Sequence, residues 1–151
     1  PGDRRLEVFR QLATTLLLTH ALRNAVCNDT KLALLYTRRA DVHLSPTYDM
    51  LTTSVYAGLQ HNPPAIGFMG KKTWAPGKLL PRFIAGTFGI QPKEQSQIVE
   101  AISDAVADVG PQVRHAMAQH PGFDAIGQRM LQAWAEGVQG LRDGRVYALG
   151  D

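Results

Sequence analysis

Apolar residues recur every three or four positions in the first part of the chain. Residues at these steps lie on one face of a helix, so the pattern predicts an amphipathic α-helix from about Arg5 to Leu22. Asp3 and Glu7 stand near its beginning, where negative charge interacts favourably with the helix dipole. The positions on the predicted apolar face are Leu6, Phe9, Leu12, Ala13, Leu16 and His20.

Two short apolar runs follow, separated by a polar connection. Residues 31–37 and 42–44 are mainly apolar, and residues 38–41 between them are charged or small. Such a pair predicts a small β-hairpin. Residues 45–51 begin with Ser-Pro, which predicts a turn or a short helix because proline suits the first helical position.

The rest of the chain alternates between a loop-rich stretch and helical patterns. Glycine, proline and asparagine interrupt residues 56–77, where one short strand is expected at 66–69. A short helix is expected around residues 79–84. Pro92 is expected to start a longer helix, which the Gly-Pro pair at 110–111 should kink or divide.

A last amphipathic helix is predicted after residues 120–122. No linker, internal repeat or low-complexity tract divides the sequence. We therefore expect residues 1–151 to form a single, mainly α-helical domain with one small β-hairpin.

Composition narrows the possible classes of protein. The chain has 151 residues, 44% of them hydrophobic, and a single cysteine. One cysteine excludes a disulfide-stapled secreted scaffold. The apolar runs are far shorter than the ~20 residues that span a bilayer, and no signal peptide is recognisable. We expect a cytoplasmic protein with no membrane partner.

The net charge of +3 is unevenly distributed along the sequence. Residues 1–93 contain 12 basic and 5 acidic residues, whereas residues 94–151 contain 4 basic and 8 acidic residues. Such a division is typical either of two faces with different partners or of ordinary solvated surface charge. Direct nucleic-acid binding is not favoured, because aromatic residues are not interleaved with the basic ones.

Two carboxylates flank the predicted hairpin. Asp29 precedes its first strand and Asp49 follows its second. Two carboxylates at one end of a hairpin are able to share a divalent cation. The alternative is that Asp29 is a turn or cap residue and Asp49 an ordinary carboxylate at a helix start.

The run Leu-Ser-Pro-Thr-Tyr-Asp-Met-Leu-Thr-Thr at residues 44–53 resembles the segment after the catalytic hairpin of HipA-type serine/threonine kinases. Residues 34–37, 70–74, 79–83 and 123–134 are also similar to that family, so the resemblance covers nearly all of the chain. It implies the helical C-terminal lobe of a kinase. Members of the family act as toxins of bacterial toxin–antitoxin pairs. The implied partners are an antitoxin-type protein and a protein substrate with a Ser or Thr hydroxyl, with nucleic acid reached only through a partner.

The chemistry that this resemblance implies is phosphoryl transfer from ATP with Mg²⁺. Asp49 matches the metal-ligating aspartate of the family. The catalytic base and a second metal ligand belong to an Asp-x-His-x-Lys-Asn run before the hairpin. Counting back from the hairpin without gaps places Val26 at the aspartate, Thr30 at the lysine and Lys31 at the asparagine. A three-residue deletion would instead make Asp29 the catalytic base. In both alignments the catalytic loop is degenerate.

The sequence also lacks the features of an ATP-binding N-terminal lobe. Neither a glycine-rich phosphate loop nor a strand lysine is recognisable, and the chain begins at Pro1 without Met. We therefore expect a fragment of a longer kinase that binds nucleotide weakly by itself. A second hypothesis is a catalytically inactive helical interaction module that holds an antitoxin-like or nucleic-acid-binding partner.

Overall fold

The computed structural model describes residues 2–68, 70–74 and 77–149 of the chain. Within these residues the fold is mainly helical, as predicted from the sequence. None of the described helices has an apolar stretch long enough to cross a membrane. The helices are α1 (Gly2–Leu22), α2 (Leu79–Phe88), α3 (Pro92–Gln119) and α4 (Asp124–Leu149), and the strands are β1 (Leu34–Tyr36) and β2 (Val42–Leu44).

The hydrophobic core lies where the four helices meet. Helix α4 makes the most extensive contacts, packing along α3 on one side and α1 on the other. Gly137 brings α4 against the backbone of α1: a Cβ atom there would lie 2.1 Å from the carbonyl oxygen of Ala21. The fully buried core side chains include Ala13, Ala21, Leu80, Ile84 and Ile90.

The helix boundaries follow from local chemistry. Helix α2 ends at Gly89, whose φ of 71° is left-handed and therefore favours glycine. Helix α3 starts with Pro92 and continues to Gln119 without being divided at Pro111. A proline removes one hydrogen bond of the helical ladder, but Ile102 and Val113 on either side are both buried. Their packing keeps the two parts in one helix.

The predicted hairpin is present, with a shorter first strand. Strands β1 and β2 are antiparallel, with Leu34 opposite Leu44 and Tyr36 opposite Val42. Lys31 was expected at the beginning of the first strand. It lies instead in a 3₁₀ helix, Asp29–Lys31, because the side chain of Asn28 accepts a hydrogen bond from the backbone N–H of Thr30.

The segments on both sides of this region are less regular than expected. Residues 45–52 form no helix, and a 3₁₀ helix follows at Thr53–Val55. In place of the strand expected at 66–69, Phe68 forms an isolated antiparallel bridge with Lys71, and Met69 lies outside the described residues. The segment at 45–52 is held by side chains from other elements, and these contacts position the candidate site.

Candidate functional site

Asp49 occupies an unusual backbone conformation. Its φ is 54°, in the left-handed region, where a residue with a Cβ costs about 1 kcal/mol. The fully buried side chain of Asn24 stabilises this conformation. Its amide Nδ2 donates to the carbonyl oxygen of Asp49 at 3.5 Å, and its Oδ1 accepts from the N–H of Val26 at 3.1 Å. Asn24 therefore links the loop after α1 to the segment after the hairpin.

A second link between these two segments runs through Thr53. Its hydroxyl oxygen accepts from the N–H of Ala25 at 2.8 Å and donates to the carbonyl oxygen of Arg23 at 3.0 Å. Arg23 is itself left-handed, with a φ of 57°, at the point where the chain leaves α1. A single hydroxyl group thus satisfies two backbone groups at this turn.

The segment after the hairpin is also fixed to the helices. The hydroxyls of Thr15 in α1 and Thr47 lie 2.8 Å apart. The indole N–H of Trp134 in α4 donates to the hydroxyl of Thr52 at 2.7 Å. The backbone that presents Asp49 is therefore held from two sides, although it contains no regular secondary structure.

The carboxylate of Asp49 forms an ion pair with Lys31. The ammonium of Lys31, at the end of the first 3₁₀ helix, donates to Oδ2 of Asp49. This hydrogen bond, with the negative charge of Asp49, raises the pKa of Lys31 above its ordinary value. Lys31 therefore stays protonated, and its ammonium is the cation next to the carboxylate of Asp49.

Asp29, the other predicted site residue, lies at the start of the same 3₁₀ helix. Its side chain is exposed. Within the described residues it forms no side-chain hydrogen bond or ion pair. The structure thus brings Asp49 together with Lys31, and in the described part of the chain no hydrogen bond or ion pair joins Asp49 to Asp29.

The residues around Asp49 do not fit a magnesium ion. Mg²⁺ requires oxygen ligands in a nearly octahedral arrangement. One oxygen of Asp49 is occupied by an ammonium group, which has no lone pair to offer a metal. In the described part of the chain, no three His, Cys, Asp or Glu side chains are grouped so that they could hold a metal.

Exposed apolar side chains are concentrated around the hairpin and the Asp49 segment. Leu34 and Tyr36 of β1 are 63% and 72% exposed. Large exposed apolar side chains outside β1 also lie within five residues of Lys31 or Asp49 in the sequence. They are Val26, Leu32, Tyr48 and Leu51. Concentrated apolar exposure is typical of surfaces that contact another molecule.

A buried histidine lies in the last turn of α1. His20 is 2% exposed, and its Nδ1 has no hydrogen-bond partner among the described residues. Its ring packs edge-on against Trp74, with centroids 5.4 Å apart, and the guanidinium of Arg23 lies over the Trp74 ring. Burial and the charge of Arg23 lower the pKa of His20 to about 4. His20 is therefore neutral at physiological pH.

Sequence reasoning did not identify Lys31 as the partner of Asp49, or Asn24 as the residue that holds its backbone. A signal for Asn24 is present, since asparagine directly after a helix often bonds to nearby backbone groups. The Lys31–Asp49 pair joins residues far apart in sequence and has no local signal. Comparisons with known proteins find no match for this chain among family models, curated proteins or solved structures.

Proposed function

We propose that this chain is the C-terminal lobe of a HipA-like serine/threonine kinase whose catalytic loop is degenerate, and that it binds a protein partner without transferring phosphate. The Lys31–Asp49 ion pair is the observation that carries the proposal. Asp49 matches the family's metal ligand, and Lys31 stands at the metal-ligating asparagine in the ungapped alignment. A positive side chain thus lies where the resemblance implies Mg²⁺.

Val26 supports the same conclusion. In the ungapped alignment it replaces the aspartate that would accept the proton of the substrate hydroxyl, and an isopropyl group has no basic atom. It is 38% exposed, so it contributes apolar surface beside the Lys31–Asp49 pair. Val26 thus replaces a catalytic base by exposed apolar surface, and Lys31 replaces a metal ligand by a positive charge.

The role of a binding lobe follows from the exposed apolar surface around this site. An antitoxin-type protein is the class of partner that the resemblance implies, and the contact with nucleic acid would then be made by the partner. Asp29 belongs to the competing hypothesis, in which a deletion makes it the catalytic base. Its carboxylate is exposed, and within the described residues it forms no side-chain hydrogen bond or ion pair.

Metal binding tests the proposal directly. In ¹⁵N NMR spectra of the chain, Mn²⁺ is expected to leave the amide signals of residues 31 and 49 unbroadened at concentrations up to about 1 mM. The Lys31→Asn variant removes the ammonium and supplies an amide oxygen beside Asp49. We expect local Mn²⁺ broadening in this variant and none in the matched control Lys93→Asn, which changes an exposed lysine of α3.

A second measurement addresses catalysis. We expect no phosphate transfer from Mg-ATP to a protein substrate and no calorimetric binding of Mg-ATP by the chain. Micromolar Mn²⁺ binding at Asp49 in the unmodified chain would contradict the proposal. So would phosphate transfer that disappears in both Asp49→Ala and Asp29→Ala.

A further inference from the structure

The two strands of the hairpin have different surroundings. Side chains of α1 bind backbone groups near both ends of β2: the guanidinium of Arg4 donates to the carbonyl oxygen of Ala40 at 3.0 Å, and the amide of Gln11 donates to the carbonyl oxygen of Ser45 at 2.6 Å. In the described part of the chain β1 pairs with β2 alone, so its other edge is open.

The backbone groups that point out from this open edge can be identified. The N–H of Ser45 donates to the carbonyl oxygen of Ala33 at 2.7 Å, so Ala33 faces β2. Bonding alternates along an antiparallel ladder, and Leu35, opposite His43, faces β2 as well. Leu34 and Tyr36 consequently direct their N–H and C=O groups outward.

This edge lacks the usual protection against pairing with another strand. Open edges are commonly blocked by charged residues, proline or a bulge, whereas β1 consists of Leu34, Leu35 and Tyr36. All three side chains are exposed. A two-stranded hairpin is also only marginally stable without a third strand or a covering element.

The charges next to β1 indicate which partner fits. Arg38 and Arg39 follow the strand at the hairpin tip, and neither forms an ion pair within the described ranges. The nearby carboxylate of Asp41 is already close to Arg4, at 4.0 Å, and accepts from the hydroxyl of Thr37. The uncompensated charge at this end of β1 is therefore positive.

A second copy of the chain offers no complementary charge at this edge. If β1 paired antiparallel with itself around Leu35, Arg38 and Arg39 of each copy would lie toward the end of the other β1 that follows Lys31, a basic residue already paired with Asp49. An acidic segment would supply carboxylates for Arg38 and Arg39.

We propose that the open edge of β1 binds an extended segment of a partner protein, which adds a third, antiparallel strand. The segment has alternating apolar residues that lie beside Leu34 and Tyr36, which share one face of β1. Acidic residues at its N-terminal end reach Arg38 and Arg39, because the N-terminus of an antiparallel strand lies at the hairpin tip. Backbone hydrogen bonds would supply affinity, and the apolar and acidic side chains specificity. The identification of the partner as a protein rests on the proposed function.

The test uses the complete chain and a synthetic ten-residue peptide, with two N-terminal glutamates followed by alternating valine and threonine. Before addition, we expect rapid hydrogen exchange at the amides of Leu34 and Tyr36 and slower exchange at Leu35. The peptide should slow exchange at Leu34 and Tyr36 at least tenfold. A peptide N-methylated at alternate residues should lose this effect, because it cannot form the ladder.

Charge dependence provides the matched controls. A peptide with lysines in place of the glutamates should bind at least tenfold more weakly. The double variant Arg38→Glu and Arg39→Glu should reverse this preference, while Lys71→Glu with Lys72→Glu, a basic pair outside the hairpin, should leave it unchanged. If the preference for the glutamate peptide reverses only in the Arg38/Arg39 variant, the peptide is recognised at the hairpin tip and is not simply attracted to a basic chain.

Four results would overturn this inference. They are no protection of Leu34 and Tyr36, equal binding of the lysine and glutamate peptides, tighter binding of a single-stranded oligonucleotide at the hairpin, and self-association of the chain that itself protects β1. None of these measurements involves a metal. If the peptide binds and Mn²⁺ also binds at Asp49, the proposed function fails while the strand addition stands.

Discussion

His20 makes the stability of the fold depend on pH in a way that can be calculated. Its pKa is lowered from 6.5 to about 4, chiefly by burial and further by the charge of Arg23, while a hydrogen bond to the backbone of Trp74 acts in the opposite direction. In the unfolded chain the imidazole returns to its ordinary pKa. Between pH 6.5 and pH 4 the unfolded state therefore binds a proton that the folded state excludes.

The size of the effect follows from this difference. One pKa unit corresponds to about 1.4 kcal/mol, so the shift of His20 to about 4 amounts to about 3 kcal/mol. This loss of stability is absent above pH 6.5, grows as the pH falls, and is complete near pH 4. Few domains have more than about 15 kcal/mol of stability, so the loss would be easily measured.

The assay is urea unfolding between pH 7.5 and pH 4, comparing the unmodified chain with His20→Leu. Leucine has a volume close to that of histidine and removes the unpartnered Nδ1, while the hydrogen bond to the Trp74 backbone is lost at every pH. The free energy of unfolding of His20→Leu, measured relative to the unmodified chain, should therefore increase by about 3 kcal/mol from pH 7.5 to pH 4. Carboxylates titrate in both proteins and cancel in the comparison.

The matched control is His115→Leu, which changes an exposed histidine of α3. This variant should keep the pH dependence of the unmodified chain. Equal pH dependence in His20→Leu and the unmodified chain would refute the reasoning. An NMR titration placing the pKa of His20 above 6 would refute it as well.

Three further substitutions probe the packing around the site, each measured by urea unfolding at neutral pH. Asn24→Ala should cost about 2 to 3 kcal/mol, because it leaves the N–H of Val26 unpartnered, and a loss below about 0.5 kcal/mol would show that this link is unimportant. Gly137→Ala should cost at least about 2 kcal/mol, because its Cβ would meet backbone of α1, whereas Gly140→Ala, with open space around the Cβ, should stabilise by up to about 1 kcal/mol. Trp134→Phe should cost about 1 to 3 kcal/mol by removing the hydrogen bond to Thr52, and an unchanged midpoint would contradict that role.

The helices were predictable because their signals are local. An apolar position every three or four residues marked α1, and Pro92 marked the start of α3. The hairpin was likewise visible as two apolar runs separated by a polar connection. The first strand begins later than predicted, because Asn28 caps a 3₁₀ helix that includes Lys31.

The candidate site was predictable only in part. The sequence and its resemblance singled out Asp49 and the degenerate loop, because these depend on residue types at fixed spacings. It did not determine that Lys31 is the residue that pairs with Asp49. That pairing depends on how a 3₁₀ turn and an irregular segment are oriented relative to each other.

The sequence by itself thus determined the helical class, the hairpin and the charge of each segment. Only the packed structure shows which charges meet, that the buried His20 keeps its Nδ1 without a hydrogen-bond partner among the described residues, and which strand edge is left open. The physical reason is distance: helix and turn signals act over a few residues, whereas the contacts of Asn24, Trp134 and His20 join segments brought together by packing of the core.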